Sequence, residues 1–300
     1  MTHSASLLSV IENDDTYSTK RTRLLVVGNG RVARTLLQCS FDHTLVQIER
    51  WHRSVSISFV EMLEQMRPTH IVLAITDAAI QPFVQEHWVA LADLTPCTLV
   101  HCAGQFGRIH VPPPPMSLGV EADHVLTIEP AHPLMTFPIL RSSDGGNAVH
   151  PVAYDTLPFV LSADGHTLHD LLPTLPNPFY VIPDSLRSYY HALCSIMVSG
   201  TVILHEKLDM LFSTVLHLPS EALLPFREQM FENIKTREPH TTVLSGPIAR
   251  GDSDTLATHD RVLRAMQNVS LADIYLHLQT LAQLDASSVH ISSLTKDRSS

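Results

Sequence analysis

The chain has 300 residues, 44% hydrophobic and 17% charged, with 20 Lys and Arg against 30 Asp and Glu and a formal net charge of −10. That composition supports one large or two medium domains with real cores, and excludes a disordered, collagen-like or coiled-coil chain. So acidic a chain repels phosphate backbones, and nucleic acid is not an expected partner.

Residues 1 to 20 are rich in Ser, Thr and Asp and read as a loose tail. Arg23 to Val27 is a short apolar run ending at Gly28, the pattern of a buried strand. Val32 to Cys39 has helical spacing, and Thr44 to Ile48 is a second strand. Phe59 to Met66 is helical, His70 to Ile75 a third strand, Ala78 to Leu91 helical, and Thr98 to Cys102 a fourth strand. This alternation predicts a Rossmann-type α/β domain, a parallel sheet with helices on both faces. Pro112 to Pro115 is a stiff surface loop. Val125 to Ile128, Phe159 to Leu161 and Phe179 to Ile182 are further strands. After Pro183, with Asp184 expected to cap the next helix, the spacing turns helical: Leu186 to Leu216, Ser220 to Ile234, Asp254 to Met266 and Leu271 to Leu284. The expected organisation is a tail over 1–20, a dinucleotide-binding domain over 21–183, and an all-helical substrate and dimerisation domain over 184–286.

Cys39, Cys97, Cys102 and Cys194 show no CxxC spacing and read as reduced thiols of a cytoplasmic protein. No apolar run approaches the ~18 residues of a membrane helix, and no signal peptide is visible at Met1. The 19 His are scattered, with no HExxH, so no metal site is expected.

Gly28-Asn29-Gly30-Arg31-Val32-Ala33 follows a strand and opens a helix, the GxGxxG pattern with Ala last. Gly28 permits the tight turn, Gly30 lets backbone N–H groups approach a diphosphate, and Ala33 allows close helix–sheet packing. The alternatives are a structural turn or a loop holding S-adenosylmethionine. Glu49, 21 residues after Gly28, suits the ribose hydroxyls of NAD, but Arg50 and Arg53 suit a 2′-phosphate. NADP is therefore the expected cofactor, with NAD the alternative. Thr76, Asp77 and His101 leave the carboxyl ends of the third and fourth strands and are expected near the cofactor, although Asp77 is equally suited to capping a helix.

The phrases Ala74-Ile75-Thr76-Asp77-Ala78-Ala79-Ile80, His101-Cys102-Ala103-Gly104, Pro130-Ala131-His132-Pro133-Leu134-Met135-Thr136-Phe137, Tyr190-His191-Ala192 and Leu244 to Asp252 follow the glycine loop in order. Together they resemble the Rossmann-like proteins carrying the domain of unknown function 2520, over about residues 21 to 285. The resemblance implies the architecture of 6-phosphogluconate dehydrogenase, pyrroline-carboxylate reductase and ketopantoate reductase, in which a helical domain often dimerises. It implies ketopantoate reduction as one activity, a small-molecule substrate and a homodimer.

Hydride delivery to C=O or C=N needs a proton donor, a clamp for the substrate and a dry crevice. Many β-hydroxyacid dehydrogenases use a Lys and an Asn at the start of the first long helix of the second domain. Here Arg187 stands near that position, and the helix offers no Lys until Lys207. His191 is the first candidate donor, on a polar stripe with Ser195 and Ser199, while Tyr190, Leu193, Cys194, Met197 and Val198 form an apolar, buried side. His132, before Pro133, is the second candidate, and a similar His-Pro occurs in prephenate dehydrogenases. Gly246 to Asp252 reads as a loop joining two helices. Arg250 is the expected carboxylate clamp, Asp252 a helix cap or substrate contact, and His259 a residue of the same crevice. Arg250 and Asp252 would alternatively form a structural ion pair, and His191 and His132 would be satisfied structural imidazoles. The expected activity is NADP-dependent reduction of a small carboxylate-bearing carbonyl or imine. A prephenate-type dehydrogenase and a non-catalytic nucleotide-binding regulator are the alternatives.

Overall fold

A computed structural model of the chain describes residues 21–114, 125–137, 154–163, 165–238 and 241–284. The expected tail, Pro115 and part of the segment after β6 lie outside these residues. The strands are β1 (Thr22–Val27), β2 (Val46–Trp51), β3 (His70–Leu73), β4 (Thr98–His101), β5 (Ile109–Val111), β6 (Leu126–Pro133), β7 (Phe159–Ser162) and β8 (Phe179–Ile182). They form one sheet in the order β2-β1-β3-β4-β6-β7-β8, with β5 pairing β6. Pairs from β2 through to β6 along this order are parallel, as is β7 with β8; β5 and β7 each run antiparallel to β6.

The helices of this half are α1 (Arg31–Leu36), α2 (Phe59–Met66), α3 (Asp77–Glu86), α4 (Trp88–Ala92) and α5 (Leu168–Leu171). In β1, Leu24 and Val26 face one core with Ala33, Leu36, Leu168 and Leu171, while Leu25 and Val27 face another with Phe59, Leu63, Ile80 and Trp88. Burial on both faces explains why β1 is a continuous apolar run. The sheet grows one way from β1 to β2 and the other way from β1 to β3. Ligand crevices in open α/β sheets lie at that reversal, beyond the strands' carboxyl ends.

Contacts gather the chain into two compact units, one ending at Ser195 and the next beginning at Ile196, later than Pro183. The first unit closes with α6 (Arg187–Ser195). The second begins with a π-helical turn, Ile196–Gly200, followed by α7 (Thr201–Thr214), α8 (Leu224–Thr236), α9 (Gly246–Arg250), α10 (Ser253–Ala265) and α11 (Val269–Ala282).

Several expectations change. Asp184 does not cap α6: a short 3-10 turn, Asp184–Leu186, precedes that helix, and the Asp184 carboxylate accepts from the Arg108 N–H at 3.1 Å and from Ser162 Oγ instead. The helix read over Ala78 to Leu91 breaks at His87. The expected loop after Gly246 is itself a helix, α9, ended by Gly251 at φ 63°. Thr76, rather than Asp77, is the N-cap of α3, and it makes no side-chain capping bond. The side of α6 expected to be buried is only partly covered among the described residues: Tyr190 and Cys194 are half-buried and Leu193 is 49% exposed.

Candidate functional site

The site is built where β1, β3, β4 and β6 end. Gly28 follows β1 with φ 136°, and a Cβ there would lie 2.3 Å from the Ala74 carbonyl oxygen at the end of β3. Only glycine fits this contact between the two strands at the reversal of the sheet. Gly30 differs: its φ is −73°, and among the described residues nothing lies within 4 Å of the position a Cβ would take. The fold does not require Gly30, and the space over it suits a group approaching the backbone.

Arginines surround this turn. Arg34 Nε donates to the Asn29 carbonyl at 3.2 Å, and Arg31 Nη1 to the Phe137 carbonyl at 3.1 Å. Arg50, near the end of β2, donates from Nη1 to Asn29 Oδ1 at 3.1 Å. Arg53 lies exposed in the following turn and makes no hydrogen bond or ion pair among the described residues. Glu49 is exposed on β2, and Val32 packs against the core beneath α1. In a chain of net charge −10, three arginines around one turn form a local cationic patch.

A second group gathers at the ends of β4 and β6. His101 is fully buried; its Nε2 bonds the Gly107 carbonyl at 2.9 Å and its Nδ1 accepts from the Ala103 N–H at 3.2 Å. Both ring nitrogens are spent on backbone, so this ring shapes the loop after β4. Burial lowers its pKa to about 4. His132 is part of β6 rather than following it. Its Nδ1 lies 2.6 Å from the Tyr190 hydroxyl of α6, and its ring meets His191 edge-on at 5.9 Å. Burial first, then the neighbouring charges, lowers the His132 pKa to about 4, while burial raises that of Tyr190. Both are therefore uncharged near neutrality.

Gly104 brings these rings together. A Cβ there would lie 2.6 Å from His191 Cδ2 and 2.9 Å from His132 Nε2. Asp77, at the start of α3, is close enough for its charge to help burial hold the Cys102 thiol up at about 12. Among the described residues no set of three His, Cys, Asp or Glu is placed to hold a metal ion, and no helix is long and apolar enough to cross a membrane.

Other expected residues lie apart. Ser195 and Ser199 are exposed, and the π turn interrupts their stripe with His191. In the second unit Arg250 ends α9, exposed, and forms no ion pair with Asp252 among the described residues. Asp252 caps α10, accepting from the Thr255 N–H at 3.2 Å and from Thr255 Oγ1 at 2.9 Å. His259 Nδ1 bonds the Tyr275 hydroxyl at 3.0 Å. The sequence reading missed Tyr190 as a polar partner, assigning it to an apolar side, and gave Gly104 no role. A phenol three residues beyond Arg187 carries no local mark of the strand it will meet.

Residues 161–281 match the family model described as "Domain of unknown function (DUF2520)". A protein of Bacteroides fragilis, provisionally described as an NADP oxidoreductase, superposes with a TM-score of 0.57 at 18% identity, over 88% of this chain and 98% of its own. A Thermotoga maritima protein whose description states no activity gives 0.55 at 21% identity, over 86% and 96%. No curated protein matches. The chain thus has a Rossmann-like fold, and its residues 161–281 are similar to the DUF2520 family model.

Proposed function

We propose that the chain is an NADP-dependent oxidoreductase that reduces a small carboxylate-bearing carbonyl or imine, with ketopantoate as the named candidate and NAD as the alternative cofactor. One observation carries this reading: a glycine turn at the reversal of the sheet, ringed by Arg31, Arg34 and Arg50, shares its edge of the first unit with a half-buried His–Tyr pair. The residues fit a dinucleotide. Space over Gly30 admits a diphosphate, and Arg50, with Arg53 beyond it, suits a 2′-phosphate. Thr76, Asp77 and the backbone after His101 would flank it. The description of the B. fragilis protein supports the same cofactor.

When bound, the dinucleotide supplies the hydride. The chain's own residues must then deliver one proton to the developing oxyanion or amine. The structure favours His132 over His191 for this, because Tyr190 holds the His132 ring while no hydrogen bond fixes His191 among the described residues. An anion forming beside His132 would draw a proton from Nε2 as Tyr190 passes its own to Nδ1 and regains one from solvent, which leaves the tyrosine neutral again. His191 closes the other side of the pair and keeps water from it. Ser195 in the first unit, and Ser199, Arg250, Asp252 and His259 in the second, are proposed substrate contacts on their residue chemistry alone. The exposed apolar side chains of the second unit support a homodimer.

The test is titration with NADPH and NADH by fluorescence, then a screen of 2-oxo acids and cyclic imines for NADPH loss. NADPH binding with turnover of a carboxylate substrate is expected. Failure to bind either coenzyme overturns the reading, and binding without turnover of any substrate favours the regulator.

A further inference from the structure

Arg187, the first residue of α6, has 0% of its surface exposed. A guanidinium carries five N–H donors and stays charged. Its Nη1 donates to the Val160 carbonyl at 3.2 Å, but Nε and Nη2 are buried without a hydrogen-bond partner among the described residues. Those two nitrogens share one edge of the group, the edge that takes both oxygens of a carboxylate through parallel bonds. A buried cation left unpaired is strongly unfavourable, and a neutral partner does not offset its charge.

The acids of this region are already engaged. Asp184 takes the Arg108 N–H and the Ser162 hydroxyl, and Glu129 takes Arg108 Nε at 3.0 and 3.1 Å. Arg108 thus has its carboxylate within the chain, whereas Arg187 feels the charge of Asp184 but has no carboxylate within ion-pair distance among the described residues. The position is also telling. Val160 stands opposite His132 in the β6–β7 ladder, and Tyr190, less than one turn beyond Arg187, holds His132.

We propose that Arg187 is the anchor for the substrate's carboxylate, gripping its two oxygens through Nε–H and Nη2–H beside His132. Its assignment to a substrate rests on the reductase reading above. It replaces Arg250 as the clamp: Arg250 is exposed, whereas Arg187 is withdrawn from water, where a paired bond is stronger and a neutral analogue leaves the cation unpaired.

The full chain is titrated with oxamate, with neutral oxamide and with inorganic phosphate, with and without saturating NADPH, following melting temperature and the His132 ring protons by NMR. Oxamate is expected to raise the melting temperature and shift the His132 signals, oxamide and phosphate to do neither. Arg187→Lys keeps the charge but lacks the flat edge, and should weaken oxamate about tenfold or more while NADPH affinity stays unchanged. Arg187→Met should abolish the response; should it fail to fold, the Lys variant still decides. Oxamate binding Arg187→Lys as tightly as the native protein, or phosphate matching oxamate, overturns the proposal. NADPH binding without any oxamate response overturns the anchor alone. An Arg187-dependent oxamate response in a protein that binds no coenzyme supports the anchor and overturns the reductase.

Discussion

What a side chain does at this site depends on which partner fixes it. His132 is held by the Tyr190 hydroxyl, so Tyr190→Phe should lower kcat on the order of 10²-fold while NADPH affinity is unchanged. A parallel loss of both would mean the tyrosine only supports the fold. Gly104 is the residue the two imidazoles close upon, and Gly104→Ala should cost about 1–3 kcal/mol of stability and lower turnover, because the added carbon must displace His191 or His132. Melts and kinetics on that variant check both halves. His101 and His132 also predict a pH dependence. Their folded pKa values, about 4, lie below the ordinary 6.5, so between these limits the unfolded chain binds protons that the folded one refuses. Stability should therefore be full above pH 6.5 and fall as pH drops towards 4. A melting temperature that stays flat from pH 7.5 to 4.5 would contradict their burial in the neutral form.

In the turn between β1 and α1, two glycines that look alike in the sequence have different duties. Gly28→Ala places a carbon against the Ala74 carbonyl at positive φ and should destabilise the fold by several kcal/mol, roughly the scale of combined backbone strain and overpacking. Gly30→Ala meets nothing among the described residues and should leave stability within about 1 kcal/mol of native, read from melts, while weakening NADPH. Equal effects of the two on stability would remove the distinction. At the element level the sequence was readable where a pattern is local. The alternation of strands and helices, the turn after β1 and the Asp252 cap follow from neighbours in the chain. Missing were β5, whose three residues are too few to show a period, and α9, which Gly and Pro disguised as a loop.

The two units differ in how they bury apolar surface. The first closes two cores around its sheet, whereas among the described residues of the second the only buried hydrophobic is Ala272, and Ile196, Met197 and Phe226 are 68%, 76% and 71% exposed. So much exposed apolar area in helices marks an interaction surface. Sedimentation should give twice the 33.3 kDa chain mass, and Met197→Glu with Phe226→Glu should shift the protein to monomers. A monomer at every concentration would dispose of the homodimer. The sequence alone determined the α/β class, the helical second half and the glycine turn after β1, since each is written in residues a few positions apart. Tertiary structure alone decided that Tyr190 meets His132 and that Arg187 is buried with one edge unpaired. Those contacts join residues 58 and 27 positions apart through strand pairing, and no local spacing encodes that distance.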